Sequence, residues 1–221
     1  MGACCHADGG CDEVTGDNCV AIGDVFHAGQ TCVVGLCPGP EGNCTPDTGQ
    51  EVFASPPVAT ARLGWEVAVD GNTAVVGSPF EPSIGAAYVY VQSGGVWAQQ
   101  QRLVDLTGVP GDFFGKSVDV DGDTIIVGSD KTSSGDGVAF VFTRTAGVWA
   151  EQQQLLATAA TIHSVAVSGD VAIIGTNFNE AVFVYRRSSG VWSLEQTLTQ
   201  PDTLTSTFGR SVDVDGDTAL I

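Results

Sequence analysis

A repeat of about 50 residues is the feature that most limits how this chain can fold. Its first half occurs four times, as LGWEVAVDGNTAVVGSP (63–79), FGKSVDVDGDTIIVGSD (114–130), TIHSVAVSGDVAIIGTN (161–177) and FGRSVDVDGDTALI (208–221). The matching glycines Gly77, Gly128 and Gly175 are 51 and 47 residues apart. Such a period is typical of arrays in which each repeat is one supersecondary unit that packs on its neighbours.

Each repeat reads as four short strands. The motif SVDVDG alternates apolar and polar residues, which is the period of a strand with two unlike faces. Asp121-Gly122 predicts a tight hairpin turn, because type I′ turns need positive φ. The apolar run TIIVG that follows predicts a buried strand. VAFVFTR and VWAEQQQLL add two strands around a second turn. Four strands per repeat predict the blades of a β-propeller.

An aromatic residue and a tryptophan recur seven residues apart in three repeats: Tyr90 and Trp97, Phe142 and Trp149, Tyr185 and Trp192. Across a two-residue turn, this spacing places the two rings on neighbouring antiparallel strands. We expect these pairs to form core between sheets. A ring platform for a ligand is the alternative interpretation.

The predicted fold is all-β, a partial β-propeller preceded by a small disulfide-rich module. We assign residues 1–47 to the module and 48–221 to the blades. The blade region holds about three four-stranded units and a truncated remnant: 63–105, 114–157, 161–200 and 208–221. Ahead of them, QEVFAS (50–55) reads as a lone fourth strand. We hypothesise that residues 51–62 complete a blade whose other strands lie beyond Ile221.

All seven cysteines lie between Cys4 and Cys44, in a segment rich in glycine and aspartate. So short a segment cannot bury enough apolar surface without cross-links. This pattern predicts disulfides formed in an oxidising compartment, and therefore a secreted or cell-surface protein. The start MGACC carries no signal peptide. We therefore expect this chain to be part of a longer polypeptide.

The net charge of −18 arises from 8 Lys+Arg against 26 Asp+Glu and bears on the partners. Nucleic-acid binding rests on basic residues that neutralise phosphate, so we expect no nucleic acid as partner. Anionic membranes repel such a surface as well. With no apolar run of 18 residues, we also expect no membrane insertion.

The chain contains no G-x-S-x-G elbow and no phosphate-binding glycine loop. We predict that it is not an enzyme and has no catalytic residues.

Two clusters of aspartates are the candidate metal ligands: Asp119, Asp121 and Asp123, with Asp213, Asp215 and Asp217 in the fourth repeat. Calcium takes six to eight oxygen ligands, and each cluster brings too few oxygen ligands together at one point. The first and third repeats carry alanine where Asp119 stands. We therefore interpret these residues as strand and turn positions and assign no cofactor. A calcium site is the alternative.

These motifs resemble the FG-GAP repeats of the integrin α-chain propeller and of many large bacterial surface proteins. Phe114-Gly115 and Phe208-Gly209 match the family's FG, and Gly77-Ser78-Pro79 stands for GAP. The third repeat reads Thr161-Ile162 and lacks the FG. The resemblance covers roughly residues 50–221 and implies a seven-bladed propeller in the parent protein. Kelch repeats are the rival, but their double glycine is missing.

The N-terminal segment resembles the short GACC cysteine-rich repeats of very large secreted bacterial proteins. That resemblance implies six paired positions: Cys4, Cys5, Cys11, Cys19, Cys32 and Cys37. Cys44 is then the odd cysteine, left unpaired within the module. The sequence does not choose among the pairings that six cysteines permit.

The most consistent function is a non-catalytic extracellular scaffold or binding module. We expect it to bind an unidentified protein or glycan through the loops at 79–85 and 130–137, which differ in length and sequence. The first alternative is an integrin-like adhesion domain stabilised by calcium. The second is part of an enzyme whose active site lies outside this chain.

Overall fold

The computed structural model describes residues 2–5, 11–14, 25–26, 50–58, 61–82, 84–130, 135–158, 160–177, 181–200 and 207–221. All regular structure within these ranges is β. No helix among them is long and apolar enough to cross a membrane. The prediction of an all-β fold is confirmed for this part of the chain. The chain divides into two compact units, Met1–Glu51 and Val52–Ile221.

The N-terminal unit contains a three-stranded antiparallel sheet in the order β2-β1-β3. Its strands are β1 (Gly2–Cys5), β2 (Cys11–Val14) and β3 (Val25–Phe26). The register of β1 and β2 sets Cys5 opposite Cys11. Three of the six predicted disulfide residues, Cys19, Cys32 and Cys37, lie outside the described residues, as does the odd cysteine Cys44. The disulfide module therefore stays a prediction.

Three four-stranded antiparallel sheets follow, which we call blades 1, 2 and 3. Blade 1 contains β4 (Val67–Asp70), β5 (Thr73–Ser78), β6 (Ala86–Ser93) and β7 (Val96–Leu103). Blade 2 contains β8 (Ser117–Asp121), β9 (Thr124–Ser129), β10 (Gly137–Thr145) and β11 (Val148–Ala157). Blade 3 contains β12 (Thr161–Ser168), β13 (Val171–Asn177), β14 (Ala181–Ser188) and β15 (Val191–Thr199). A two-stranded remnant consists of β16 (Asp213–Asp215) and β17 (Thr218–Leu220).

Each blade is a meander in which consecutive strands pair, as tight hairpin turns require. The third and fourth strands carry a register shift at the same place in every blade, after Val89, Val141 and Val184. Bulges of this kind increase the right-handed twist of a sheet. The repeated four-stranded sheets give a propeller-like fold in which each unit has the same shape.

Apolar side chains fill the space between neighbouring sheets. We call the side of a blade that faces the preceding blade its leading face, and the other its trailing face. Val75 and Val89 on the trailing face of blade 1 join one buried cluster with Phe142 and Trp149 on the leading face of blade 2. Blades 2 and 3 repeat this arrangement around Trp192. The aromatic–tryptophan pairs are therefore core between the sheets.

The repeated glycines bring the backbones of neighbouring blades close together. A Cβ atom added to Gly77 would lie 2.1 Å from the carbonyl oxygen of Gly115 in the next blade. At Gly175 it would lie 2.0 Å from the carbonyl oxygen of Gly209. Gly128 instead faces the side chain of Ile162, because the third repeat has lost its FG. Gly77 and Gly175 thus make room for the FG glycine of the following repeat.

The segment before blade 1 covers part of the leading face of that blade. Val52 and Ala54 pack against the buried rings of Tyr88 and Tyr90. The backbone N–H of Ser55 donates to Gln99 Oε1 at 2.7 Å, and Gln99 Nε2 donates to the Ser55 carbonyl at 3.1 Å. Residues 50–58 form no strand of their own. They lie over the outer strands of blade 1, whereas its first strand β4 is largely exposed.

Candidate functional site

The aspartates of the repeated motif lie on the first strand of their unit, and those of blades 1 and 2 reach the next unit. Two N–H groups of β12 and one of the turn after it donate to side chains of β8 that stand 48 residues earlier: Val165 to Ser117 Oγ (2.9 Å), Val167 to Asp119 Oδ2 (2.7 Å) and Gly169 to Asp121 Oδ2 (2.5 Å). We call this row of acceptors the edge ladder. It satisfies the backbone donors of an edge strand that has no strand beside it.

The turn position of the ladder is filled at all three junctions between described units. Gly122 N–H donates to Asp70 Oδ2 at 2.8 Å, just as Gly169 donates to Asp121. At the third junction, Gly216 N–H donates to Ser168 Oγ at 3.0 Å. The DG and SG dipeptides therefore turn the hairpin and also join consecutive blades.

The central position of the ladder alternates between alanine and aspartate. The Asp119 carboxylate accepts two hydrogen bonds. Its Oδ1 accepts from the N–H of Val120 at 2.8 Å, and its Oδ2 accepts from the N–H of Val167 in blade 3. Blades 1 and 3 hold Ala68 and Ala166 at this position and supply no acceptor. One carboxylate thus serves the N–H of its own strand and that of the next.

The remaining candidate ligands each have a different interaction partner. Asp123 forms an ion pair with Arg144 (2.6 Å), and Asp217 lies 3.7 Å from Arg186. Asp213 Oδ1 accepts from the N–H of Val214, and Asp215 is exposed. Within the described ranges, no group of three or more His, Cys, Asp or Glu side chains is arranged to hold a metal ion. The hypothesis of calcium binding stays untested.

A small aromatic pocket lies where the inner strands of blades 1 and 2 begin. The Trp65 and Phe80 rings meet edge to face with centroids 5.1 Å apart, and Phe80 meets Phe113 in the same way at 5.4 Å. The guanidinium of Arg62 lies 4.3 Å from the Phe80 centroid. With Pro79, these rings line a pocket of about 150 Å³. Trp65 is 49% exposed, so its ring is open to solvent.

A charged pair forms the polar side of this pocket. Lys116 Nζ donates to both carboxylate oxygens of Asp130, at 2.7 and 3.0 Å. Burial raises the pKa of Asp130, and the ammonium of Lys116 opposes that shift. The Asp130 carboxylate is held in place by Lys116 and also lines the pocket. The pocket therefore offers an apolar aromatic wall beside one donor and one acceptor.

Local backbone geometry positions these side chains. Gly64 and Trp65 both donate their N–H groups to the Gly77 carbonyl, and Gly115 and Lys116 repeat this pattern with Gly128. Two non-glycine residues with positive φ, Arg62 and Phe113, immediately precede these turns. The other two described non-glycine residues with positive φ, Ala146 and Ser189, lie in hairpin turns. Strained backbone outside ordinary turns is often found at binding sites.

Sequence comparison identifies the repeats that build this pocket. The family model described as FG-GAP repeat matches residues 49–90 and 97–142. These residues carry FG-GAP repeats. The match includes the whole pocket, from Arg62 to Asp130, and the prediction from the FG and GAP motifs is confirmed for this region.

Comparison with individual proteins adds little. No curated protein matches the chain. Among solved structures, a protein from Lactobacillus plantarum is similar with a TM-score of 0.46 and 15% identity. That alignment covers 61% of this chain and 41% of the other chain, so this chain spans less than half of its length.

One position of the repeat sets the first junction apart. This position follows Leu63-Gly64 in the first repeat and holds Trp65 there, whereas the other repeats carry the basic residues Lys116, His163 and Arg210. Phe80 and Asp130 belong to the two loops that the sequence singles out for recognition. Ser83 and residues 131–134 of those loops lie outside the described residues. The signal for the pocket in the sequence is Trp65, an aromatic residue at a position where the other repeats carry a basic residue.

The Asp119 carboxyl should make the stability of the fold depend on pH. Burial raises its pKa to about 6, against the pull of two N–H donors, and the negative charges of Asp213 and Asp121 add to the shift. Because this value exceeds the ordinary 3.8, the stabilisation is complete below about pH 4 and is lost as pH rises through about 6.

We therefore expect the unfolding free energy of the wild type to fall, relative to that of Asp119→Ala, by up to about 3 kcal/mol between pH 4 and pH 7. Urea unfolding of both proteins across this range measures the difference. A difference that stays constant with pH would contradict this assignment.

Proposed function

We propose that this chain is an extracellular, non-catalytic binding domain that takes a neutral glycan in the pocket of Trp65, Phe80 and Phe113. The observation that carries the proposal is the exposed Trp65 ring, which stands beside a fixed ion pair instead of inside the core. FG-GAP repeats suggest a binding or adhesion role for a propeller-like domain.

The chemistry of the pocket favours a neutral polyhydroxylated ligand. The apolar face of a sugar ring fits against an aromatic face, and edge-to-face neighbours hold that face still. Lys116 and Asp130 neutralise one another, so the pocket offers a donor and an acceptor for hydroxyl groups without a net charge. The charge of −18 on the chain disfavours anionic glycans.

The cysteine-rich segment supports the proposed extracellular location. Seven cysteines within the first 44 residues suit an oxidising compartment, where disulfides replace a hydrophobic core. We propose that this segment is a disulfide-bonded module attached to the FG-GAP repeats, and that both belong to a larger secreted or surface protein.

Binding of neutral oligosaccharides tests the proposed function. We expect at least one neutral glycan on an array to bind the wild type. Trp65→Ala should weaken that binding about tenfold or more, because most of the stacking surface is lost. Isothermal titration of the selected oligosaccharide measures the loss.

Matched variants separate the pocket from general effects. Phe53→Ala removes an even more exposed aromatic residue (67%) outside the pocket and should leave affinity unchanged. Lys116→Met should weaken binding while preserving the side-chain volume. Absence of any neutral glycan ligand, or equal binding by wild type and Trp65→Ala, would refute the proposal.

A further inference from the structure

An ionic cluster with a buried carboxylate ties a loop of blade 1 to the outer strands of that blade. The Glu81 carboxylate accepts a hydrogen bond from Tyr88 Oη at 2.5 Å and another from Arg102 Nε at 2.8 Å. A terminal guanidinium nitrogen of Arg102 donates to the same carboxylate. The Glu81 side chain is only 6% exposed. Because a buried charge without partners is costly, these donors are what keeps Glu81 in place.

The two donors are departures from the repeat. Tyr88 on β6 and Arg102 on β7 stand directly opposite one another. The equivalent cross-strand pairs of blades 2 and 3 are Phe140 with Gln154 and Phe183 with Thr197. Those blades form the same four-stranded sheet without a tyrosine and an arginine at these positions. The blade fold therefore does not require the cluster, and its role is particular to blade 1.

The tyrosine of the cluster is a permanent donor at neutral pH. Burial, followed by the hydrogen bond to Glu81 and the negative charge of that residue, raises the pKa of Tyr88 to about 12. The Tyr88 hydroxyl therefore keeps its proton and donates it to the Glu81 carboxylate. The cluster thus holds the loop by a neutral donor and a charged one together.

The cluster adjoins the aromatic pocket along the chain. Glu81 directly follows Phe80, whose ring meets those of Trp65 and Phe113 at centroid distances of 5.1 and 5.4 Å. The Glu81 N–H also donates to the Ser78 carbonyl at 3.2 Å, at the end of β5. A fixed Glu81 therefore restricts the backbone that carries the Phe80 ring.

The same loop also holds the attachment of Phe113. The Glu81 carbonyl accepts from Gly85 N–H at 3.2 Å, and the Ile84 carbonyl accepts from Phe114 N–H at 2.8 Å. The second of these bonds joins the loop to blade 2 immediately after Phe113. Glu81 thus stands between the two points at which the loop supports the aromatic wall.

We propose that Glu81 is the positioning residue of the aromatic pocket. Its carboxylate, held by Tyr88 and Arg102, fixes the loop and thereby sets the Phe80 ring against Trp65. A wall that is fixed before binding loses less conformational entropy when a ligand stacks on it, so the cluster raises the affinity of the pocket. The effect on affinity rests on the proposed function, whereas the effect on the position of Phe80 does not.

The indole N–H signals of the full chain test the position of Phe80 without a ligand. Trp65→Phe identifies the Trp65 signal in a proton–nitrogen correlation spectrum, because that signal disappears. Phe80→Ala should shift the Trp65 signal, since it removes the aromatic ring whose ring current acts on the indole. The direction of this shift is the reference for the variants of the cluster.

Two variants release the loop in different ways. Tyr88→Phe combined with Arg102→Gln gives blade 1 the cross-strand pair of blade 2, so the sheet should stay folded. This double variant should shift the Trp65 signal in the same direction as Phe80→Ala. Glu81→Ala should produce the same shift from the side of the loop, without leaving a buried charge. Thermal unfolding verifies that each variant is folded.

Arg186→Gln is the matched control, because it breaks an ion pair of blade 3 in which both side chains are 47% exposed. It should leave the Trp65 signal unchanged. The Trp192 signal serves as the internal reference, since the Trp192 indole N–H donates to Gln152 Oε1 at 3.0 Å between blades 2 and 3. This signal should stay in place in both cluster variants.

Isothermal titration with the neutral oligosaccharide selected on the array measures the effect on affinity. The double variant and Glu81→Ala should each raise the Kd about tenfold, whereas Arg186→Gln should leave it unchanged. A Trp65 signal that stays in place in both cluster variants, or equal affinities of these variants and the wild type, would overturn the inference. If no neutral glycan binds the wild type, the proposed function fails, and the Trp65 signal alone decides whether Glu81 positions Phe80.

Discussion

Gly175→Ala should lower the free energy of unfolding by at least about 3 kcal/mol. The added Cβ would lie 2.0 Å from the backbone oxygen of Gly209, so blade 3 and the remnant β16–β17 would have to separate. Because the obstacle is backbone on both sides, no change of rotamer can relieve it. Urea unfolding followed by tryptophan fluorescence measures the loss.

The second blade provides the control for this change. At Gly128 the nearest atoms to an added Cβ belong to side chains, Ile162 Cγ2 at 2.9 Å and Ser117 Cβ at 3.3 Å. Gly128→Ala should therefore cost clearly less than Gly175→Ala, since the end of an isoleucine side chain can shift. Equal losses at the two positions would show that the close approach of the FG and GAP glycines is not the cause.

Trp149→Ala should destabilise the fold by about 3–5 kcal/mol, as expected for removing a large buried aromatic side chain. The ring is buried against blade 1, and its Nε1 donates to Gln100 Oε1 at 2.9 Å. Gln101 binds both the N–H and the carbonyl of Trp149, at 2.9 and 2.7 Å. The guanidinium of Arg144 stacks over the ring at 4.9 Å. Loss of the indole would thus leave a cavity between two blades.

The equivalent tryptophan of the first blade is the matched control. Trp97 is only half-buried and packs at the edge of the cluster that contains Val52 and Ala54. Trp97→Ala should therefore cost less than Trp149→Ala in the same thermal and urea unfolding experiments. If both substitutions lower stability equally, the contacts of Gln100 and Gln101 in the preceding blade with Trp149 contribute little to stability.

Both experiments address the same physical property, the coupling between consecutive repeats. A single four-stranded sheet has two apolar faces and cannot bury both alone. In blades 2 and 3, a neighbouring blade covers the leading face, and the edge ladder and the tryptophan bound by glutamines of the preceding blade hold it there. On the leading face of blade 1, the outer strands and Val76 of β5 are covered, whereas Val67 and Val69 of β4 are exposed.

Much of the blade structure could be predicted from the sequence, because the underlying signals are local. Alternation in SVDVDG and the Asp121-Gly122 turn require only neighbouring residues, and the structure has β8 and β9 there. The spacing of Phe142 and Trp149 follows from one hairpin and correctly indicates core. The calcium alternative came from the same stretch, since aspartates in a row read equally well as ligands or as strand residues.

The sequence by itself determined the repeat, its four strands, its turns and the residues that point to each face, because strand periodicity and turn chemistry act within a few residues. Only the tertiary structure decided what the polar residues do. Asp119 meets Val167 because two inner strands lie side by side, although 48 residues separate them. Trp65, Phe80 and Phe113 meet because loops of two blades converge. Such contacts depend on how sheets pack, and no short stretch of sequence encodes that distance.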